Sequence, residues 1–122
     1  ARLARVRRWV GGVAGDGGCL CSSQEWGTAD QHGINAVVGV FNDNAYGNDL
    51  RDQENRLAGR TIGAELHNPD FVKLAEAYGA RGVRANGPEE LESSIKEALA
   101  IEAPTLIEVP VGKMPSPFER IP

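Results

Sequence analysis

Two short loops contain the residues whose types and spacing could do chemistry. They read Gly15-Asp16-Gly17-Gly18 and Asn42-Asp43-Asn44. Each loop follows a segment that we predict to be a strand, and each holds a carboxylate among turn-forming residues. Asp16 and Asp43 lie 27 positions apart, the length of one strand–helix–strand crossover. Because such a crossover puts the carboxyl ends of neighbouring parallel strands side by side, we predict that both carboxylates reach one cation.

The chemistry expected of these carboxylates is the binding of Mg²⁺. This hard cation prefers oxygen ligands in octahedral geometry and usually shares its shell with a phosphate. Glycines in the first loop would let backbone N–H groups approach that phosphate. An ordinary β-turn or helix cap would explain either loop alone, so the prediction depends on the pair and its spacing.

Other motifs for catalysis or nucleotide binding are absent or weak. The sequence contains no Gly-x-x-x-x-Gly-Lys-Ser/Thr, no Gly-x-Gly-x-x-Gly and no Gly-x-Ser-x-Gly. Cys19 and Cys21 are too close in sequence to close a useful disulfide loop, which favours a reducing compartment. A metal site with His32 and His67 is an alternative, but zinc sites usually come as two spaced pairs, so we interpret the cysteines as ordinary thiols. We interpret His32 as a helix-end residue and His67 as a loop residue.

The elements that must position the two loops alternate between short β-type runs and longer helical runs. This alternation predicts an α/β fold, a three-layer α/β/α arrangement with a mainly parallel sheet. The strands are predicted at residues 10–14, 36–41, 82–85 and 105–109. The run 36–41 is nearly all apolar, which is typical of a central strand covered on both faces.

The predicted helices begin and end at recognisable signals. Ser22 and Glu25 have the spacing of a capping box, and Gly33 would end that helix. Asn68 as the cap, followed by Pro69, would start another helix, and the last helix would open at residue 88. Residues 48–66 are expected to form a long loop with a short helix.

Composition describes one globular domain. The chain has 122 residues, 41% hydrophobic and 25% charged, with a net charge of −4. Residues 1–14 hold four arginines, and the rest carries 9 basic and 17 acidic residues, which argues against a nucleic-acid groove. No apolar run reaches the ~20 residues of a membrane span. We therefore expect a cytoplasmic protein that binds neither nucleic acid nor membrane, with a domain edge at the arginine-rich start and a Pro-rich tail at 110–122.

The stretch from residue 15 to residue 47 resembles the thiamine diphosphate enzymes related to acetolactate synthase and the 2-oxo acid decarboxylases. Their diphosphate-binding domain carries Gly-Asp-Gly followed by Asn-Asn, where this chain has GDGG and FNDNAYG. Further similar segments are SQE, QHGIN, LHNPDFVKLAEAYGARG, PTLIEVPVG and MPSPF. The resemblance therefore covers nearly the whole chain.

The resemblance implies a partial domain of the thiamine diphosphate-binding fold, with thiamine diphosphate and Mg²⁺ as cofactors. Asp16 and Asp43 would bind the metal through their side chains, and Ala45 would bind it through its backbone carbonyl. The residues expected to contact the cofactor are Gly15, Gly17, Gly18, Ala45, Tyr46 and Gly47. Two departures are that the family usually has Asn where Asp43 stands, and that many relatives have Met where Asn48 stands.

The resemblance also implies a 2-oxo acid substrate and an oligomer. In the family, a glutamate on a second domain activates the cofactor, so no catalytic residue is expected in this chain. A homo-oligomer or another chain would supply that pyrimidine-binding domain. Two other functions stay open at this point: a non-catalytic α/β interaction module that no longer binds cofactor, and a nucleotide or phosphosugar binder that uses the same strand ends.

Overall fold

The computed structural model describes residues 10–113 and 115. Four parallel strands form one sheet in the order β1-β2-β4-β3. The strands are β1 Val10–Gly15, β2 Ala36–Asn42, β3 Arg81–Arg84 and β4 Thr105–Pro110. The helices are α1 Asp16–Leu20, α2 Glu25–Gln31, α3 Gly47–Arg56, α4 Phe71–Ala77 and α5 Pro88–Ala100. None of these helices is long and apolar enough to span a membrane.

The centre of the sheet is formed by β2 and β4. In β4 every residue except the last is buried, which is the pattern of a parallel strand covered on both faces. Successive side chains of a strand point to opposite faces, so Leu106 enters one apolar cluster and Ile107 enters another. The first cluster also contains Trp26 and Phe71 from α2 and α4, and the second contains Ala98 from α5. The predicted three-layer α/β/α arrangement is therefore confirmed.

The predicted start of the first long helix is wrong. Instead of one helix capped by Ser22, the chain forms the short helix α1, a turn, and then α2. The Ser22 carbonyl accepts the N–H of Glu25 at 3.1 Å, and the residue that precedes α2, Gln24, makes no side-chain cap bond. The turn bonds the backbone to itself at this point, so no capping box forms.

The predicted cap of α4 is also wrong. Asp70, not Asn68, precedes the helix, and its Oδ1 accepts the N–H groups of Val72 at 3.1 Å and Lys73 at 3.2 Å. The N–H of Lys73 is the main cause that lowers the pKa of the Asp70 carboxyl, and the charges of Arg84 and Lys73 act in the same direction. The side chain of Asn68 is thereby left for another role.

The segment predicted as a long loop with a short helix contains the ten-residue helix α3. Its exposed charged side chains pair along the helix, since Arg56 Nε lies 2.7 Å from Asp52 Oδ1 at the i,i+4 spacing. After the helix, a single antiparallel bridge joins Glu65 to Ala45. This bridge returns the chain to the loop that follows β2.

Candidate functional site

The two loops singled out by their chemistry meet at one edge of the sheet. β1 and β2 are adjacent and parallel, and their last paired residues are Gly15 and Phe41. Asp16 follows β1 directly, and Asp43 follows β2 directly. The juxtaposition predicted from their spacing is therefore present.

Two cavities that share several residues lie between the loops. All three residues predicted to hold the metal line the first, a cavity of about 210 Å³. All six residues predicted to contact the cofactor line the second, which is also about 210 Å³. The first is lined by Gly15, Asp16, Phe41, Asp43, Ala45, Gly47, Asn48, Arg51 and Val111. The second is lined by Gly15, Asp16, Gly17, Gly18, Ala45, Tyr46, Gly47, Asn48 and Asp49.

Asp16 is a buried carboxylate at the start of α1, with only 2% of its surface exposed. Burial of a charged group is costly unless it is hydrogen-bonded or paired. Here Asn68 Nδ2 donates to Asp16 Oδ2 at 2.6 Å. Within residues 10–113 and 115, no hydrogen bond uses the other oxygen, Oδ1. One oxygen is therefore fixed by the protein, and the other is available to a ligand.

The second loop is a tight turn built by its own side chains. Asp43 Oδ1 accepts the N–H of Ala45 at 3.2 Å, and Asn42 Oδ1 accepts the N–H of Asn44 at 3.1 Å. Asn44 lies in the left-handed region with a φ of 58°, which asparagine tolerates better than most residues. These bonds hold Asp43 at the mouth of the cavity.

After this turn, the backbone carbonyl of Ala45 stays outside the antiparallel bridge. In the antiparallel bridge, the N–H of Tyr46 donates to Ala64 at 2.8 Å and the carbonyl of Asn44 accepts from Leu66 at 2.8 Å. The Ala45 carbonyl, which lies between these two groups in the chain, takes no part in the bridge. It can therefore serve as the third oxygen ligand that the sequence resemblance implies.

Two glycines allow the loops to come this close. A Cβ atom added at Gly17, in the first loop, would overlap the ring of Tyr46, which comes just after the second loop. A Cβ atom added at Gly47 would lie 2.6 Å from Asp43 Oδ2, closer than real Cβ contacts occur. A side chain at either position would thus displace Tyr46 or Asp43 from the site, and neither glycine has a positive φ.

Sequence reasoning missed one polar residue of this site, Asn68. Its Nδ2 lies 2.6 Å from Asp16 Oδ2 and 2.9 Å from Asn42 Oδ1, whereas its Oδ1 is buried and has no partner in the described part of the chain. Asn68 and Pro69 have the residue types of a helix cap and a first helical position, so the sequence predicted a cap instead of this contact. The better cap two positions later, Asp70, was the signal that could have revealed it.

A basic side chain also reaches the metal cavity. Arg51 on α3 lines the same cavity as Asp43, and its Nη2 donates to Asn48 Oδ1. Arg51 therefore places a guanidinium on the wall of the cavity that Asp43 also lines.

The alternative metal site at the cysteines is not supported. Cys19 is buried and Cys21 is exposed, and both are free thiols. Burial raises the pKa of the Cys19 thiol, and Cys21 Sγ donates to the Gly17 carbonyl at 3.3 Å. His32 and His67 are both exposed. Across residues 10–113 and 115, no group of three or more His, Cys, Asp or Glu side chains is placed to hold a metal ion.

The sequence and the fold were compared with those of known proteins. Residues 1–109 match the family described as "Thiamine pyrophosphate enzyme, C-terminal TPP binding domain". The chain is 33% identical to a probable acetolactate synthase large subunit of Methanocaldococcus jannaschii, over all of this chain and 20% of that protein. It is 35% identical to an acetolactate synthase of Bacillus subtilis, over 91% of this chain and 19% of that protein.

A solved structure gives the same result. The fold matches a thiamine diphosphate-dependent 4-hydroxybenzoylformate decarboxylase of Rhodococcus jostii RHA1 with a TM-score of 0.87 and 36% identity, over 95% of this chain and 22% of that one. The chain thus spans about a fifth of the length of these relatives. With the family matched over most of the sequence and the fold matched in space, the chain belongs to the thiamine pyrophosphate enzymes, of which it represents the C-terminal TPP-binding domain.

Proposed function

We propose that this chain binds the diphosphate of thiamine diphosphate through Mg²⁺, as part of an acetolactate synthase-like enzyme that decarboxylates or carboligates 2-oxo acids. One observation carries the proposal: Asp16, Asp43 and Ala45 line a single cavity, and the glycine-rich loop lines the cavity next to it. The proposal therefore puts the metal and the diphosphate in adjacent cavities.

The donor set fits Mg²⁺. Two carboxylates and a backbone carbonyl are hard oxygen ligands, and the metal usually fills its remaining positions with phosphate oxygens and water. The cavity that holds these three donors, about 210 Å³, has room for the ion together with phosphate oxygens.

The residues of this chain would bind and orient the cofactor. When bound, thiamine diphosphate supplies the stabilisation of the carbanion that forms as a 2-oxo acid loses CO₂. Asp16 and Asp43 would hold the metal, and the backbone around Gly17 would donate to the diphosphate. Arg51 would offset the charge of the second carboxylate.

The substrate class and the assembly come from the relatives. Acetolactate synthase and benzoylformate decarboxylase are among the proteins that the chain matches. The glutamate that activates the cofactor would lie on a second domain, outside the fifth of the relatives' length that these residues match. We therefore expect these residues by themselves to bind cofactor without turning over a 2-oxo acid.

The test is a calorimetric titration of the full chain with thiamine diphosphate, in Mg²⁺ and then in EDTA, both alone and assembled with the rest of the enzyme. We expect saturable binding that EDTA removes. Asp16→Ala should abolish this binding and leave the circular dichroism spectrum unchanged. The matched control is Asp52→Ala, an exposed carboxylate on α3 outside both cavities, which should bind as the parent does.

Three results would contradict the proposal. Equal affinity in the Asp16→Ala variant and the parent would remove the metal assignment. A folded chain that binds no cofactor in any assembled state would instead favour a non-catalytic interaction module. If nucleotides or phosphosugars bind the folded chain and thiamine diphosphate does not, the site takes a different phosphate ligand.

A further inference from the structure

A chain of polar side chains crosses the sheet from Asp16 to the opposite edge. Asn68 donates to Asp16 and also to Asn42 Oδ1 at 2.9 Å. Asn42 Nδ2 donates to Glu108 Oε1 at 2.8 Å. Arg84 Nε then donates to Glu108 Oε2 at 2.9 Å, and Arg84 Nη2 lies 2.9 Å from the same oxygen as an ion pair. We call Asn68, Asn42 and Glu108 the amide relay.

The amide relay is built into the core of the domain. Asn42 ends β2 and is 9% exposed, and Glu108 lies on the central strand β4 and is 4% exposed. Glu108 shares a face of β4 with Leu106, which is fully buried in the apolar cluster beneath α4. A carboxylate and an amide buried there cost stability unless each polar atom is satisfied. Apolar side chains at buried positions of this kind often give a core of equal or higher stability.

Glu108 gives the relay its direction. A carboxylate accepts hydrogen bonds, and Asn42 accordingly turns its Nδ2 toward Glu108. Asn42 then presents Oδ1 to the Nδ2 of Asn68, and the same oxygen also accepts a backbone N–H of the turn after β2. This orientation points the Asn68 donor at the carboxylate of Asp16. Arg84 in turn pairs with Glu108, because its Nε donates to Oε2 and its Nη2 lies within ion-pair distance of the same oxygen.

We propose that the amide relay positions Asp16 for Mg²⁺, with Asn68 holding Oδ2 and Glu108 setting the orientation of both amides. This inference rests on the proposed function, since it assigns residues that act behind the metal ligand. Asn68, Asn42 and Glu108 are positioning residues, which act on the metal through Asp16. Groups that hydrogen-bond a metal ligand typically change metal affinity by about 10–100-fold when they are removed.

The experiment measures the metal requirement of cofactor binding. The full chain, assembled with the rest of the enzyme, is freed of metal and titrated with Mg²⁺ at saturating thiamine diphosphate. In Asn68→Ala we expect the half-saturating Mg²⁺ concentration to rise by about 10-fold. The same titration with Ca²⁺ should change less, because Ca²⁺ accepts flexible geometry whereas Mg²⁺ requires a near-ideal octahedron. A general loss of stability would instead raise the half-saturating concentrations of Mg²⁺ and Ca²⁺ equally.

Asn86→Ala is the matched control. Asn86 also precedes a helix and also donates from Nδ2 to a carboxylate, Glu90 Oε2 at 3.2 Å, but lies outside both cavities. We expect its Mg²⁺ titration to match that of the parent. Asn68→Leu, which is close to asparagine in shape and removes the donor without adding a charge beside Asp16, is the second variant if Asn68→Ala does not fold.

A double-mutant cycle tests the role of Glu108. Glu108→Gln removes the charge that orients the amides, and we expect a smaller rise of roughly 3-fold. If Glu108 acts through Asn68, the double variant should require no more Mg²⁺ than Asn68→Ala alone. Fully additive effects on the half-saturating Mg²⁺ concentration would show that Glu108 does not act through Asn68.

The outcomes separate this inference from the proposed function. If Asp16→Ala loses metal-dependent binding and Asn68→Ala titrates as the parent does, the relay is overturned and the metal site stands. If the parent binds no cofactor, or binds it without any metal requirement, both are overturned. A selective rise for Mg²⁺ over Ca²⁺ in Asn68→Ala supports the relay.

Discussion

At the scale of single residues, Gly17 and Gly18 are neighbours on α1 with different surroundings. A Cβ atom at Gly17 would overlap the Tyr46 ring, whereas a Cβ atom at Gly18 would meet nothing within 4 Å. We expect Gly17→Ala to lower the free energy of unfolding by about 1–3 kcal/mol through overpacking. Gly18→Ala should change it by less than about 1 kcal/mol, in the stabilising direction, because alanine favours a helix. Urea denaturation of the two variants gives both values.

The cause can be isolated by removing the ring. In a Tyr46→Ala background the overlap is gone, so Gly17→Ala should become nearly neutral. An equal loss in both backgrounds would show that the cost does not come from the Tyr46 contact.

Asp43 is the second residue whose effect can be measured alone. With Asp43→Asn the metal would keep two side-chain oxygen ligands with one negative charge fewer. We expect the half-saturating Mg²⁺ concentration to rise by roughly 10-fold while thiamine diphosphate still binds at saturating metal, because ligand charge count tunes the affinity for hard cations. Asp52→Asn, exposed on α3, is the control. Unchanged metal affinity would show that Asp43 does not ligate the ion.

Some of the site could be predicted at this scale and some could not. Asp16 and Asp43 were found because a fixed crossover length ties their positions in the chain to the same sheet edge. Asn68 was missed because its contacts are set by the path of the chain from α3 to α4. The sequence around Asn68 indicates only a local cap, and Asp70 satisfies that requirement instead.

At the scale of elements, the N-terminus of α4 depends on one charged cap. The pKa of Asp70 is lowered in the folded protein from its ordinary value of 3.8, mainly by the N–H of Lys73. A lowered folded pKa gives stability that is present above the ordinary value and lost as pH falls through the folded value. Asp70→Asn keeps a capping side chain without the charge. The parent should therefore exceed the variant in stability above about pH 4, and the difference should vanish as the pH approaches 2.

Denaturation in urea at several pH values checks this prediction. Asp52→Asn is again a suitable control, since Asp52 is exposed on α3 and caps no helix. A difference between the parent and Asp70→Asn that persists unchanged to pH 2 would contradict the charge-based cap.

The strands were more predictable than the helix starts. Strands predicted at 36–41 and 105–109 appear as Ala36–Asn42 and Thr105–Pro110, because a run of buried apolar residues specifies a parallel strand by itself. The capping box at Ser22 failed because the pattern requires a free helix start, and the turn after α1 already bonds those backbone groups. A capping motif depends on the hydrogen bonds of a single turn. An apolar strand is instead specified by its burial in the core of the domain.

At the scale of the whole molecule, β1 forms an edge of the described sheet and carries an exposed apolar side chain. Val13 is 80% exposed, and among the described strands its strand β1 pairs with β2 alone. An apolar edge strand promotes association between chains. We expect Val13→Lys to raise the concentration at which the isolated chain self-associates, measured by sedimentation velocity. The control is Ile62→Lys, which changes a residue that is 83% exposed but lies in a loop. An equal effect of both variants would contradict a role for the strand edge.

The position of β4 in the sheet also orders events during synthesis. β4 is the last strand made, yet it lies between β2 and β3. A nascent chain in which residue 105 has not emerged therefore lacks the strand that joins β2 to β3. Glu108, which connects Asn42 to Arg84, arrives with this strand. The two cofactor loops are thus made early, whereas the amide relay behind them is completed only when β4 inserts between its neighbours.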